Sequence, residues 1–96
     1  MDMQEIIRRL QDSRKELDRI GVSSLRLFGS VARGEATTAS DADFVVRFRG
    51  TPRFDQFMDL KFHLEQALGT RVDLVTEDAV RPELREAVER YAIRVA

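Results

Sequence analysis

The stretch from Asp41 to Val75 constrains the fold most, because it reads as strand, helix, strand with little between them. From Asp41 to Arg49 the residues alternate, with Ala42, Phe44, Val46 and Phe48 on one face and Asp41, Asp43, Val45 and Arg47 on the other. Gly50-Thr51-Pro52 interrupts that pattern. From Phe54 to Leu68 a helical stripe of Phe57, Leu60, Leu64, Ala67 and Leu68 takes over, and Gly69 ends it. Arg71 to Val75 is then a short strand. A helix between two strands is a crossover connection, so the two strands lie parallel and their early positions come side by side.

The rest of the chain is arranged around that unit. Met3, Ile6, Ile7, Leu10, Leu17 and Ile20 recur at helical spacing and predict one amphipathic helix from Met3 to Ile20, stopped at Gly21. Ser24 to Phe28 alternates as a strand that runs into Gly29-Ser30. Val31 to Gly34 fits one helical turn, and Glu35 to Ser40 reads as a polar loop. Thr76 is placed to cap an acidic turn at Glu77 and Asp78, and Pro82 to open a last helix carrying Val80, Leu84, Val88 and Tyr91 on one face. Tyr91, Ile93 and Val95 also alternate as a strand would, so the last six residues stay open between helix and strand. Phe54, Phe57 and Phe62 read as core. The first strand can deliver its C-terminal end beside the start of the second only by running antiparallel to it. The expected fold is therefore α+β, a small mixed β-sheet flanked by helices.

At 96 residues the chain has room for one core, so a single domain over residues 1–96 is expected. Sixteen basic against seventeen acidic residues leave no net field that would draw it to nucleic acid or an anionic membrane, so strong nucleic-acid binding is not expected. With no cysteine, disulfides and thiolate metal sites are excluded. The acidic start Met1-Asp2-Met3-Gln4-Glu5 does not fit a signal peptide and no apolar run approaches a membrane span, which together point to the cytoplasm.

Three features go beyond what folding requires. Gly29-Ser30 ends a strand before what could be a helix N-terminus, where a close backbone, a hydroxyl and exposed amides suit a phosphate; Arg33 and Gly34 lie within reach. Alone, a Gly-Ser pair is more often an ordinary turn. Asp41 and Asp43 fall on one strand face about 6 to 7 Å apart, with room for a divalent cation, although a solvated strand end would look the same. Asp73 is a charged residue in the apolar run Val72-Asp73-Leu74-Val75, and the parallel crossover can bring it to face the other two. Three carboxylates beside a phosphate-binding turn suit metal-assisted phosphoryl transfer with two hard cations. In that layout Asp41 and Asp43 hold the nucleotide-bound metal, and Asp73 helps hold a second or accepts the proton of the attacking hydroxyl.

Gly29-Ser30, ten intervening residues, then Asp41-Ala42-Asp43, with Asp73 in a later strand, resembles the signature of the DNA polymerase beta-like nucleotidyltransferase superfamily. The fuller strings Gly29-Ser30-Val31-Ala32-Arg33-Gly34-Glu35-Ala36, Ser40-Asp41-Ala42-Asp43-Phe44-Val45-Val46 and Val72-Asp73-Leu74-Val75-Thr76-Glu77-Asp78 resemble its minimal nucleotidyltransferases over nearly the whole chain. Val31 departs from the larger polar or basic residue often found there. The resemblance implies a mixed sheet flanked by helices. It also implies triphosphate contacts from Gly29, Ser30 and Arg33, and magnesium or manganese held by Asp41, Asp43 and Asp73. Many members are antitoxins paired with a HEPN-domain toxin, so it implies ATP as substrate and transfer of AMP to a hydroxyl of that toxin, a tyrosine in characterised cases. Two alternatives stand beside it: an antitoxin that neutralises by contact without turnover, and nucleotidyl transfer to a small molecule or RNA end.

Among the weaker candidates, His63 reads as structural, Lys61 as surface, and Arg47, Arg49 and Arg53 as a cluster able to meet an acidic partner or a nucleotide. Tyr91, Ile93 and Val95 could pair with a partner or a second copy, making a homo-oligomer, or could finish the fold.

Overall fold

The computed structural model describes residues 3–29 and 42–95. In chain order the elements are α1 (Met3–Gln11), α2 (Arg14–Ile20), β1 (Val22–Phe28), β2 (Ala42–Phe48), α3 (Phe54–Leu68), β3 (Val72–Thr76), a 3-10 turn (Glu77–Ala79), α4 (Pro82–Tyr91) and β4 (Ile93–Arg94). Among the described residues the strands form one sheet in the order β3-β2-β1-β4. β2 and β3 are parallel, as the α3 crossover requires, and β1 is antiparallel to both β2 and β4. The sheet is mixed and the fold α+β, as expected.

The alternation of β2 sorts its side chains between two unequal cores. Leu25 and Leu27 of β1, Ala42, Phe44, Val46 and Phe48 of β2, and Val72 and Leu74 of β3 pack against Ile6, Leu10, Leu17, Ile20, Leu60, Leu64 and Leu68. Helices α1, α2 and α3 thus cover one face of the sheet. On the other face the buried set is Val45, Val80 and Val88, with Phe28, Val75 and Ala92 packed against it. Val88 is the sole buried residue of α4 among its described side chains, so that helix is held on the sheet by little apolar area.

The expected first helix is two. Ser13 falls at the position of the stripe that faces the core between Leu10 and Leu17, and it is buried at 5 % exposure. Its N–H donates back to the Leu10 carbonyl at 3.0 Å, a tight turn, and its own carbonyl accepts from Leu17 N–H at 2.9 Å to start α2. A polar residue stands where the stripe needs an apolar one, and the helix breaks there. Gly21 ends α2 as expected, with a positive φ of 100° and its N–H on the carbonyls of Leu17 and Asp18.

Two further expectations are corrected. Phe54 and Phe62 are not core: they are 80 % and 62 % exposed, because the buried stripe of α3 runs through Leu60, Leu64 and Leu68 with Phe57 packed beside it. Thr76 makes no side-chain cap; the acidic turn after it is a single 3-10 turn, and α4 begins afresh with Pro82 in its first turn. The open question at the C-terminus resolves to both states in succession. The helix runs to Tyr91 and the chain then pairs with β1 through Arg26↔Arg94 and Leu27↔Ile93, with Val95 N–H on the Leu25 carbonyl at 2.9 Å.

Candidate active site

The end of β1 and the starts of β2 and β3 meet at one corner of the sheet. Phe28 pairs with Asp43, and Asp43 pairs with Asp73 in the parallel register. Neighbouring strands lie about 4.8 Å apart, and directly paired residues project to the same face. The two carboxylates therefore stand side by side, Asp43 half-buried and Asp73 exposed. Alternation puts them on the face away from α1, α2 and α3, together with Phe28, Val45 and Val75.

Gly29 follows Phe28 and turns the chain with a φ of +79°. Its lack of a side chain is needed twice. L-residues with a Cβ rarely adopt that φ. A Cβ there would also overlap the Asp43 carboxylate, with Asp43 Cγ at 3.1 Å. The glycine thus lets the turn after β1 close against the carboxylate of β2.

Of the residues the sequence singles out for chemistry, the structure brings together Gly29, Asp43 and Asp73. Ser30, Arg33 and Asp41 lie outside the described residues, as do the helical turn expected at Val31 to Gly34 and the loop from Glu35 to Ser40. Ala42, next in the chain to Asp41, is anchored: it is buried and its N–H donates to the Arg71 carbonyl at 3.2 Å. Among the described residues no three acidic, histidine or cysteine side chains come together as a metal site, so the described part of the corner is a pair of carboxylates. Paired hard oxygen donors of this kind fit a magnesium or manganese ion.

The arginine cluster expected near the end of β2 is dispersed. Arg49 is taken up by α2, donating to the Asp18 carbonyl at 2.6 Å, and Arg53 pairs with Asp55 at 3.3 Å. Arg47 alone stays on the carboxylate face, where it lines a groove of about 520 Å³ with Arg26, Glu77, Asp78, Arg85, Glu89 and the valines under α4. Arg26 was not singled out by sequence reasoning. Its signal is alternation within β1, which puts it on the face of Phe28, but the partner strand that makes that the carboxylate face is known only from the register Arg26↔Val45. His63 sits on α3, half-buried, its Nε2 enclosed and without a hydrogen-bond partner. With α3 on the far side of the sheet from the carboxylates, His63 and Lys61 are apart from the site.

The chain as a whole is similar to known proteins. The model of the nucleotidyltransferase domain family matches residues 7–95. The chain is similar to the protein adenylyltransferase MntA of Thermococcus cleftensis, with 38% identity over 96 residues that cover 99% of this chain and 97% of that one. Among solved structures it is similar to a candidate minimal nucleotidyltransferase, at 42% identity and a TM-score of 0.83 over 97% of this chain and 95% of that one. It is also similar to a chain of a toxin-antitoxin crystal structure with AMP-PNP, at 25% identity and a TM-score of 0.69 over 100% of this chain and 73% of that one. With a family match along nearly its whole length and the sheet corner to go with it, the chain belongs to the nucleotidyltransferase domain family.

Proposed function

We propose that the chain is a protein adenylyltransferase that acts as an antitoxin, transferring AMP from ATP to a hydroxyl, a tyrosine, of a partner HEPN-domain toxin. The observation that carries this function is the pairing of Asp43 with Asp73 on an open sheet face beside Gly29. A relative at 38% identity named as a protein adenylyltransferase, and a neighbour solved in a toxin-antitoxin complex with AMP-PNP, support the acceptor class and the nucleotide. No helix among the described residues is long and apolar enough to cross a membrane, in keeping with action in the cytoplasm.

In this mechanism the turn at Gly29 and Ser30, with Arg33, receives the phosphates, and Asp41, Asp43 and Asp73 are the residues that would hold magnesium or manganese. The bound cation supplies charge neutralisation on the phosphoryl oxygens. The chain's own work is positioning. The toxin hydroxyl oxygen forms a bond to the α-phosphorus as the bond from that phosphorus to the bridging oxygen breaks, and pyrophosphate leaves. Asp73, exposed at the start of β3, either helps hold a second cation or takes the hydroxyl proton at an Oδ atom. Because Asp43 is half-buried and backed by Gly29, it has the fixed position that holding the nucleotide calls for.

Incubation of the purified chain with a HEPN-domain toxin, ATP and magnesium tests this function by intact-mass spectrometry. The toxin gains the mass of one or more adenylyl groups, and the Asp43→Asn variant adds none. An unmodified toxin that is nonetheless neutralised would overturn catalysis in favour of contact.

A further inference from the structure

The groove between α4 and the sheet holds two charges that the fold leaves unmatched. Of its three arginines, Arg85 is engaged, donating its Nε to the Val80 carbonyl at 3.3 Å. Arg26 and Arg47 make no hydrogen bond or ion pair with any described residue, although Glu77, Asp78 and Glu89 line the same space of about 520 Å³. Arg26 is half-buried, and a cation withdrawn from water with no anion beside it is unfavourable. Arg26 stands opposite Val45, and Arg47 is two residues further along β2. That diagonal spacing is about 7–8 Å between Cα atoms, so each guanidinium makes the other less favourable, and one carboxylate can meet both.

The strand register ties this groove to the carboxylate corner. Asp43, Val45 and Arg47 alternate onto one face of β2 with Val45 opposite Arg26, so Arg26 lies about as far from Asp43 as from Arg47. Arg47 is four residues on from Asp43, about 13 Å along the strand. An extended segment with one residue at the corner, lying along β2, therefore carries a residue about two to four positions away over Arg26 and Arg47. The two signs of charge in the groove select what that segment is. A carboxylate that meets both arginines makes charge-assisted hydrogen bonds. The carboxylates of Glu77, Asp78 and Glu89, from the 3-10 turn and α4, repel a continuous polyanion. Charge complementarity thus favours a protein segment with an isolated acidic side chain over a nucleic-acid backbone.

We propose that this groove recognises the acceptor protein, with Arg26 and Arg47 binding an acidic side chain that lies about two to four residues from the hydroxyl to be adenylylated. The proposal rests on the adenylyltransferase reading for the hydroxyl that the segment presents, while the binding itself needs neither nucleotide nor cation. Arg26 and Arg47 touch the acceptor away from the reacting atoms, so they set its affinity and its sequence preference and leave the phosphoryl transfer step to the corner.

NMR titration of the isotopically labelled chain, without ATP or magnesium, gives the test. The probes are the peptide Glu-Ala-Ala-Tyr-Ala-Ala-Glu and its counterpart with lysine in place of both glutamates. The glutamate peptide is expected to shift the amide signals of Arg26, Val45 and Arg47 and to bind about tenfold more tightly than the lysine peptide. The double variant Arg26→Gln, Arg47→Gln keeps the dispersed spectrum of a folded domain and loses that preference. Binding is also expected in Asp43→Asn. A chain that binds the glutamate peptide but transfers nothing therefore counts against the reaction alone, and one that adenylylates a toxin without preferring that peptide counts against the groove alone. No binding of either peptide, equal binding of both, shifts confined to other residues, a double variant that binds as the native chain does, or an oligouridylate held in the groove more tightly than the peptide would each overturn the proposal.

Discussion

Gly29 and Asp43 share a single small volume, and that shared volume sets what substitution at either does. In Gly29→Ala the added methyl group meets the Asp43 carboxylate and the backbone is held at a φ that alanine avoids, so the domain loses about 1–3 kcal/mol. A lower urea midpoint together with loss of adenylyl transfer is the expected result. Asp43→Asn behaves differently. It keeps the shape of the side chain against Gly29, so the domain stays folded while transfer is lost. Gly29, Asp43 and Asp73 were all legible in the sequence, because a charge inside an apolar strand run and a glycine at a strand end are local signals. Arg26 was not, since its place beside the site depends on which residue of β2 it pairs with, and register is not local.

The elements differ in how firmly they are held, and α4 is held least. It rests on the sheet through Val88, while α3 buries Leu60, Leu64 and Leu68 in the main core. Hydrogen exchange therefore reaches the amides of α4 well before those of α3. By the same reasoning Leu64→Ala costs about 2–5 kcal/mol and Val88→Ala about 1 kcal/mol, measurable by chemical unfolding. The sequence showed α3 and the three longer strands to within two residues at their ends, because strong periodicity and glycine stops coincide there. The break at Ser13 was hidden because a serine on a helical face is common, and it acts as a breaker only when that face is buried. Phe54 and Phe62 misled for the complementary reason. Aromatic character argues for burial, but position on the wheel relative to Leu60, Leu64 and Leu68 decides it, and those two lie off the buried stripe.

At the scale of the molecule, one face of the sheet supplies stability and the other stays open for chemistry. Three helices close the first face over a core that runs from Ile6 to Leu74, and on the second, among the described residues, a small valine cluster lies under α4, with Asp43 half-buried and Asp73 exposed at the corner. The mixed sheet follows from that division, since only an antiparallel β1 brings Gly29 to the start of the parallel pair. If the corner takes nucleotide with a cation as proposed, calorimetric titration with ATP is expected to show binding in magnesium that chelation by EDTA removes. The most direct measurement is intact-mass spectrometry of the partner toxin after incubation with ATP, magnesium and either the native chain or Asp43→Asn. Adenylylated toxin with the native chain and unmodified toxin with the variant is the predicted result. Toxin modified equally by both, or by neither, would contradict the assignment of this corner as the site of transfer.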